Sequence, residues 1–179
     1  PAFKKSKNLF ALNYARNSGE DFFIICEGYM DVISLHQAGF GQAVASLGTA
    51  FTAGQANLLR RYTENVLLAY DSDGAGTSAA LRAIGILREV GLTGKIIDLK
   101  PYKDPDEFVK NLGPEAFQDR IDNAENSFMF EIRILERQFD LSDPEGKTKF
   151  HREIAKKLCQ FTEEVERDNY TQAVAQKYY

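Results

Sequence analysis

Four short apolar runs recur along the first two thirds of the chain: Phe22–Cys26, Ala43–Ala45, Val66–Tyr70 and Ile96–Leu99. None alternates cleanly with polar positions, which is how strands buried on both faces of a sheet read. Between them the apolar residues take helical spacing over Met30–Ala38, Ala53–Tyr62 and Thr77–Val90, the last ended by Gly91 as a C-terminal stop. Crossovers of that length join parallel strands, so the pattern predicts an α/β fold: a parallel sheet flanked by helices over residues 20–112. After Gly113 and Pro114 the pattern changes. Phe128, Ile132, Leu135 and Phe139 follow helical spacing, Asp140–Gly146 interrupts it, and Phe150, Ile154 and Leu158 resume it. Tyr170, Val174 and Tyr178 form a third stripe, so a small helical bundle is expected over residues 113–179. Residues 1–19 remain as an arm ahead of the sheet domain.

Composition changes this picture less than charge does. With 179 residues, 44% of them hydrophobic and 27% charged, the chain can bury an ordinary core, which argues against disorder. The formal net charge of −4 argues against gripping nucleic acid through bulk positive charge. The charge is unevenly placed, however. Residues 1–16 hold Lys4, Lys5, Lys7 and Arg16 and no acid, whereas residues 17–113 hold 12 acids against 8 bases. Half of those acids sit in short motifs near the ends of expected strands. Cys26 and Cys159 lie far apart with no metal-ligand spacing, so neither a disulfide framework nor a zinc ribbon is expected. No apolar run approaches the roughly 20 residues of a bilayer span and no leader opens the chain, so a cytoplasmic protein without a membrane partner is expected. A start at Pro1 and a stop inside a helical pattern suggest a piece of something longer.

The acids fall in three motifs. Glu27-Gly28-Tyr29-Met30-Asp31 follows the first strand directly, and the carboxyl ends of parallel strands line the ligand crevice of α/β sheets. Asp71-Ser72-Asp73-Gly74-Ala75-Gly76 follows the third. Two carboxylates two residues apart, with glycines behind them, can face one cation, and their repulsion is costly without it. Lys103-Asp104-Pro105-Asp106-Glu107 follows the fourth, where Pro105 stiffens the loop. Each motif alone also reads as ordinary helix initiation. Together, six carboxylates at the ends of neighbouring strands call for compensating charge, and a histidine-free oxygen cluster suits Mg²⁺ or Mn²⁺. Two such ions stabilise the attacking and leaving oxygens of phosphoryl or nucleotidyl transfer. His36 and His151 are not placed for metal or base work. A phosphohydrolase of the haloacid-dehalogenase type, with Asp71 as nucleophile, is the alternative enzyme; a metal-stabilised interaction module is the non-enzymatic one.

Glu27-Gly-Tyr-Met-Asp31, Ala45-Ser-Leu-Gly-Thr49, Asp71-x-Asp73-Gly-Ala-Gly with Ala79-Ala80, and Asp104-Pro-Asp106-Glu107 in this order resemble the TOPRIM domain of bacterial DnaG-type DNA primases. The segment from Phe3-Lys4-Lys5-Ser6 through Arg16 is similar to the one that leads into that domain in primases. Other TOPRIM proteins, including topoisomerases and nucleases, share the Glu and the Asp pair but generally lack the EGYMD and ASLGT wording. The resemblance implies synthesis of short RNA primers from ribonucleoside triphosphates on single-stranded DNA, with an RNA–DNA hybrid as product. Under it, Glu27, Asp71 and Asp73 are the catalytic metal ligands. Asp31, Asp104 and Asp106 support or bind a further ion. Lys5 contacts nucleotide phosphate, and Tyr29 lies beside the nucleotide. Mg²⁺ is the implied cofactor, Mn²⁺ substitutes for it, and no zinc is expected here. The replicative helicase is expected to be met through a domain outside this chain, and the fragment is expected to be monomeric and weakly active or inactive alone. Ser72 departs from the glycine more common between the two Asp residues.

Overall fold

The computed structural model describes residues 4–46 and 48–179; Phe3 and Leu47 of the primase-like motifs lie outside the described residues. The chain divides into two compact units, Pro1–Ser127 and Phe128–Tyr179.

In the first unit, a short 3₁₀ turn (Lys5–Lys7) and α1 (Leu12–Ala15) precede β1 (Phe22–Cys26), α2 (Tyr29–Gln37), β2 (Ala43–Ala45), α3 (Ala53–Leu59), β3 (Asn65–Ala69), α4 (Gly74–Glu89), β4 (Thr93–Ile96), α5 (Pro105–Asp122) and β5 (Glu125–Asn126). The strands form one sheet in the order β2-β1-β3-β4-β5. The first four are parallel and β5 joins β4 antiparallel, so the sheet is mixed rather than wholly parallel. The register pairs Cys26 with both Ala45 and Ala69, which brings the carboxyl ends of β1, β2 and β3 level. Ile24, Cys26, Leu67 and Ala69 pack with Val32 and Leu35 of α2 and with Phe108, Phe117 and Ile121 of α5. Phe23, Ile25, Val66 and Leu68, the residues between, are also buried. Two buried faces account for the unbroken apolar runs.

Three features depart from the pattern-based expectation. β4 begins at Thr93 and ends at Ile96, three residues ahead of the run expected there. Its Thr-Gly-Lys opening carries no apolar signal because Gly94 lies beneath Leu87 of α4, where a Cβ would stand 3.3 Å from the leucine methyl. β5 is two polar residues long and had no periodicity to reveal it. The boundary expected at 112/113 falls instead after Ser127, because α5 breaks at Gly113 (φ 82°) and continues from Pro114 along the same core. Phe117 and Ile121 in that continuation belong to the sheet unit, with Phe117 in ring contact with Phe40 and Phe108.

The N-terminal arm is docked against this unit. Phe10 pairs antiparallel with Ala45 of β2. The fully buried Gln55 side chain donates to the carbonyls of Lys5 (3.2 Å) and Asn8 (2.8 Å). Gln55 also forms a capping box with Thr52, whose hydroxyl donates to the Ser6 carbonyl at 2.6 Å.

The second unit contains most of α6 (Ser127–Glu136), α7 (Pro144–Leu158) and α8 (Glu164–Tyr178). Its core is Phe128, Ile132, Phe150, Ile154, Phe161 and Val174, the stripes that the spacing predicts with Phe161 added. Asp143 caps α7 by accepting from the Gly146 N–H at 2.8 Å, with Pro144 in the first helical position. Among the described residues no helix is long and apolar enough to cross a membrane. Both cysteines are free thiols.

Candidate active site

Three loops leave the sheet at one end and carry the acids. Glu27 follows the last residue of β1, and its Oε1 accepts the Asp71 backbone N–H at 3.0 Å, so the first two motifs are joined directly. Asp71 follows β3 by one residue, Tyr70. Asp73 is the N-cap of α4, accepting from the Gly76 N–H at 2.7 Å. Gly76 has to be glycine here: a Cβ would overlap the Asp71 carbonyl. Ser72 ties this loop to the third motif, its N–H donating to the Lys103 carbonyl and its hydroxyl to the Tyr102 carbonyl, both at 2.8 Å. A glycine between the two Asp residues could not make the second bond.

The other three acids form a neighbouring set. Asp31 is buried; its Oδ2 accepts the Gly28 N–H at 3.1 Å and its Oδ1 the Asp106 N–H at 3.3 Å. Asp104 caps α5 through the Glu107 N–H at 2.8 Å, with Pro105 following it. Asp106 accepts from the Ser34 hydroxyl and from Lys110 Nζ at 2.7 Å.

The electrostatics link the two sets. Burial, then the charges of Asp71 and Asp73, push the Glu27 carboxyl above its ordinary range against the pull of the Asp71 N–H and Arg82. Asp71 is raised by burial and by Asp104 and Asp73, while Lys103, with Nζ 3.7 Å from Oδ2, draws it back. Asp31 is pushed up to about 6, by burial first and then by Asp104. Asp106 is held below the usual range by Lys110 and Ser34. Hence Glu27, Asp31 and Asp71 are raised chiefly by burial, with neighbouring carboxylates adding to it and Lys103 and Arg82 only partly offsetting it at Asp71 and Glu27, whereas Asp106 is held low.

Lys103, with its ammonium 3.7 Å from Asp71 Oδ2, is a cation that sequence reading missed. Its signal was present, since it adjoins the third motif. Arg82, on α4, was also missed; it lines a cavity with Glu27, Ser46 and Thr49. Tyr29 is partly exposed, its ring 4.9 Å from that of Phe10, and its hydroxyl faces Gly48. Lys5 lies in the 3₁₀ turn with its side chain exposed, and among the described residues no contact joins its ammonium to the acids.

Among the described residues no group of three or more His, Cys, Asp or Glu side chains converges as a ready-made metal cage. The donor set nevertheless fits a hard divalent ion. Mg²⁺ keeps several waters and usually takes one or two carboxylates together with substrate phosphates, so it does not require a closed cage. Glu27 and Asp71, both raised by burial and further by neighbouring carboxylates, are the pair whose chemistry such an ion would satisfy.

Comparison with known proteins agrees on both units. A family model described as Toprim-like matches residues 24–109, and one described as the DnaB-helicase binding domain of primase matches residues 128–178. The second places a segment of that description inside this chain, against the expectation that the helicase contact lies wholly outside it. The DNA primase of Clostridium acetobutylicum is 44% identical over 176 residues, covering 98% of this chain and 29% of that protein. The Escherichia coli K12 enzyme is 39% identical over 152 residues, covering 82% of this chain and 26% of the relative. The chain therefore spans less than a third of the length of these relatives. Among solved structures, the E. coli primase catalytic core superposes with a TM-score of 0.82 at 35% identity, covering 98% of this chain and 58% of that one. A DnaG primase catalytic domain bound to single-stranded DNA gives 0.83 at 34% identity, with 97% and 58% covered.

Proposed function

The chain belongs to the DnaG-type DNA primase family, as its catalytic region of Toprim domain and following helices, and from that premise we propose that it carries the metal-binding part of a primer-synthesising active site. The reaction is nucleotidyl transfer: ribonucleoside triphosphates are joined on a single-stranded DNA template, leaving an RNA–DNA hybrid and pyrophosphate. The observation that carries this reading is the Glu27–Asp71 link across the ends of β1 and β3, with both carboxyls raised by burial first and by neighbouring carboxylates after it.

Glu27, Asp71 and Asp73 are the residues that would hold Mg²⁺ or Mn²⁺, which when bound supply positive charge to the attacking 3′-oxygen and the leaving phosphate. The protein's task is placement. The Asp71 N–H fixes the orientation of Glu27, the Gly76 N–H fixes Asp73, and Ser72 holds the loop between them to residues 102–103. Lys103 offsets part of the Asp71 charge. Asp31, braced by two backbone N–H groups, and Asp104 extend the negative field and support a further ion, with Asp106 stabilising α5 beside them. Lys5 and Tyr29 serve the nucleotide, Lys5 through phosphate. The helical unit contributes to docking the replicative helicase, a reading that rests on the match over residues 128–178. The isolated chain primes weakly or not at all.

Calorimetric titration with Mn²⁺ tests the centre of this reading. The unsubstituted chain is expected to bind and to gain thermal stability with added Mn²⁺ by mass action, whereas Asp71→Asn/Asp73→Asn loses both. Equal binding by the two removes the metal-site assignment. Priming on single-stranded DNA by a longer chain carrying these residues is expected to be lost with Glu27→Gln; retained activity would refute the role of Glu27.

A further inference from the structure

A cavity of about 410 Å³ opens beside Glu27. One wall is the face of α4 that carries Ala79, Arg82, Ala83 and Ile86, residues spaced so as to share a side of a helix. Two of the four are alanine, which leaves room where larger side chains would close the space. Ser46 and Thr49 contribute hydroxyls from the loop after β2. Arg82 is exposed at this cavity, and among the described residues no ion pair joins its guanidinium to an acid. The lining thus holds one carboxylate, a guanidinium that attracts it at longer range than an ion pair, and hydroxyl donors, at the carboxyl end of the sheet.

We propose that Arg82 is the phosphate-receiving residue of this cavity, gripping the polyphosphate of a ribonucleoside triphosphate or of pyrophosphate. The proposal rests on the metal-site reading above and adds to it a residue, besides Lys5, that meets the anion. A guanidinium presents a planar fork of donors that matches two phosphate oxygens at once. Glu27 repels a bare phosphate, so the anion is held only when a divalent cation offsets that carboxylate; binding therefore depends on both the metal and Arg82. The enclosed wall of α4 suits a polyphosphate tail rather than a strand of nucleic acid running past.

The test is fluorescence anisotropy of a labelled, non-hydrolysable ribonucleoside triphosphate analogue at fixed free Mn²⁺, with displacement by inorganic pyrophosphate. Arg82→Ala is expected to weaken the analogue about ten- to thirtyfold, the usual loss for a charge-assisted hydrogen-bonded pair. Arg82→Lys restores part of that affinity, since it returns the charge without the fork. Ala79→Leu weakens the analogue by filling the cavity while every charge stays in place. Mn²⁺ affinity, measured alone by calorimetry, is unchanged or tighter in Arg82→Ala because a cation near Glu27 has been removed; a merely structural role would weaken metal and nucleotide together. Analogue binding within about twofold of the parent in both Arg82→Ala and Ala79→Leu overturns the proposal. Loss confined to a labelled single-stranded oligodeoxynucleotide also overturns it and assigns Arg82 to the template. If Asp71→Asn/Asp73→Asn binds Mn²⁺ as the parent does, the metal-site reading fails and takes this proposal with it.

Discussion

Asp31 is buried, braced by two backbone N–H groups and crowded by Asp104, with its carboxyl pushed up to about 6. That makes it a titrating load on the fold in the absence of metal. Below about pH 4 it is protonated in both the folded and unfolded chain. Between about pH 4 and 6 the folded chain keeps the proton that the unfolded chain has released, so each step up in pH lowers the stability. Above roughly pH 6.5 both are ionised and the loss is complete. The gap from about 3.9 to about 6, at about 1.36 kcal/mol per pH unit, sets the loss at no more than about 3 kcal/mol.

Urea unfolding of the parent and Asp31→Asn from pH 4 to 7.5, in chelator, isolates this contribution. The variant pays a pH-independent cost, because an amide has one acceptor oxygen for the two N–H groups of Gly28 and Asp106. The stability difference between the two proteins should therefore run with pH, the parent losing about 2–3 kcal/mol relative to the variant between pH 4 and 7. Taking the difference cancels the titrating acids that are not coupled to Asp31; Asp106, which is lowered, works in the opposite direction. Asp104→Asn should shrink the amplitude, since Asp104 is the second cause of the shift. A difference that stays flat within about 0.5 kcal/mol, or that runs the other way, would refute the claim that burial and crowding raise the Asp31 carboxyl.

Other substitutions address placement. Gly76→Ala drives a Cβ into the Asp71 carbonyl and should cost about 1–3 kcal/mol or more of stability, read as a lower urea midpoint, while weakening Mn²⁺ binding; an unchanged midpoint would mean the loop is not held as described. Gln55→Leu removes hydrogen bonds to the Lys5 and Asn8 carbonyls and should cost about 2–4 kcal/mol, with faster proteolytic cleavage within residues 4–10. Ser72→Gly loses the hydroxyl bond to Tyr102 and should cost about 1 kcal/mol by urea unfolding. Phe150→Ala, at the centre of the helical unit, should cost about 3–5 kcal/mol, read as an earlier loss of helical circular dichroism.

The sequence was legible wherever burial was continuous. β1 and β2 coincide with the apolar runs, and the stripes of α6 to α8 match their core. Legibility failed where a tertiary neighbour replaced the local signal. β4 pairs through Thr-Gly-Lys because Leu87 fills the space above Gly94, and β5 is held by β4 rather than by propensity. The extension of the sheet unit past Gly113 was hidden because the Gly-Pro pair that breaks α5 does not break the core beneath it. In the site, the acids were readable as motifs, but their partners were not. Ser72, Lys103 and Arg82 become meaningful only once the loops stand side by side, since no spacing rule connects residue 72 to residue 102.

The motifs had posed a choice between helix caps and metal ligands, and the geometry removes that choice. Asp73 and Asp104 do cap α4 and α5, each through one carboxylate oxygen accepting one backbone N–H. A carboxylate has two oxygens and about four acceptor sites, so capping leaves capacity for a cation. It also does what a ligand site needs: it fixes the carboxylate to the helix start, with the positive end of the dipole offsetting part of the charge that crowding adds. Glu27 has no helix of its own to cap and is oriented instead by the Asp71 N–H. Glu27, Asp73 and Asp104 are thus positioned by backbone groups at the ends of adjacent elements, while the Asp71 carboxylate faces Lys103, which is why the same residue types in the same order read both as ordinary helix starts and as a candidate site.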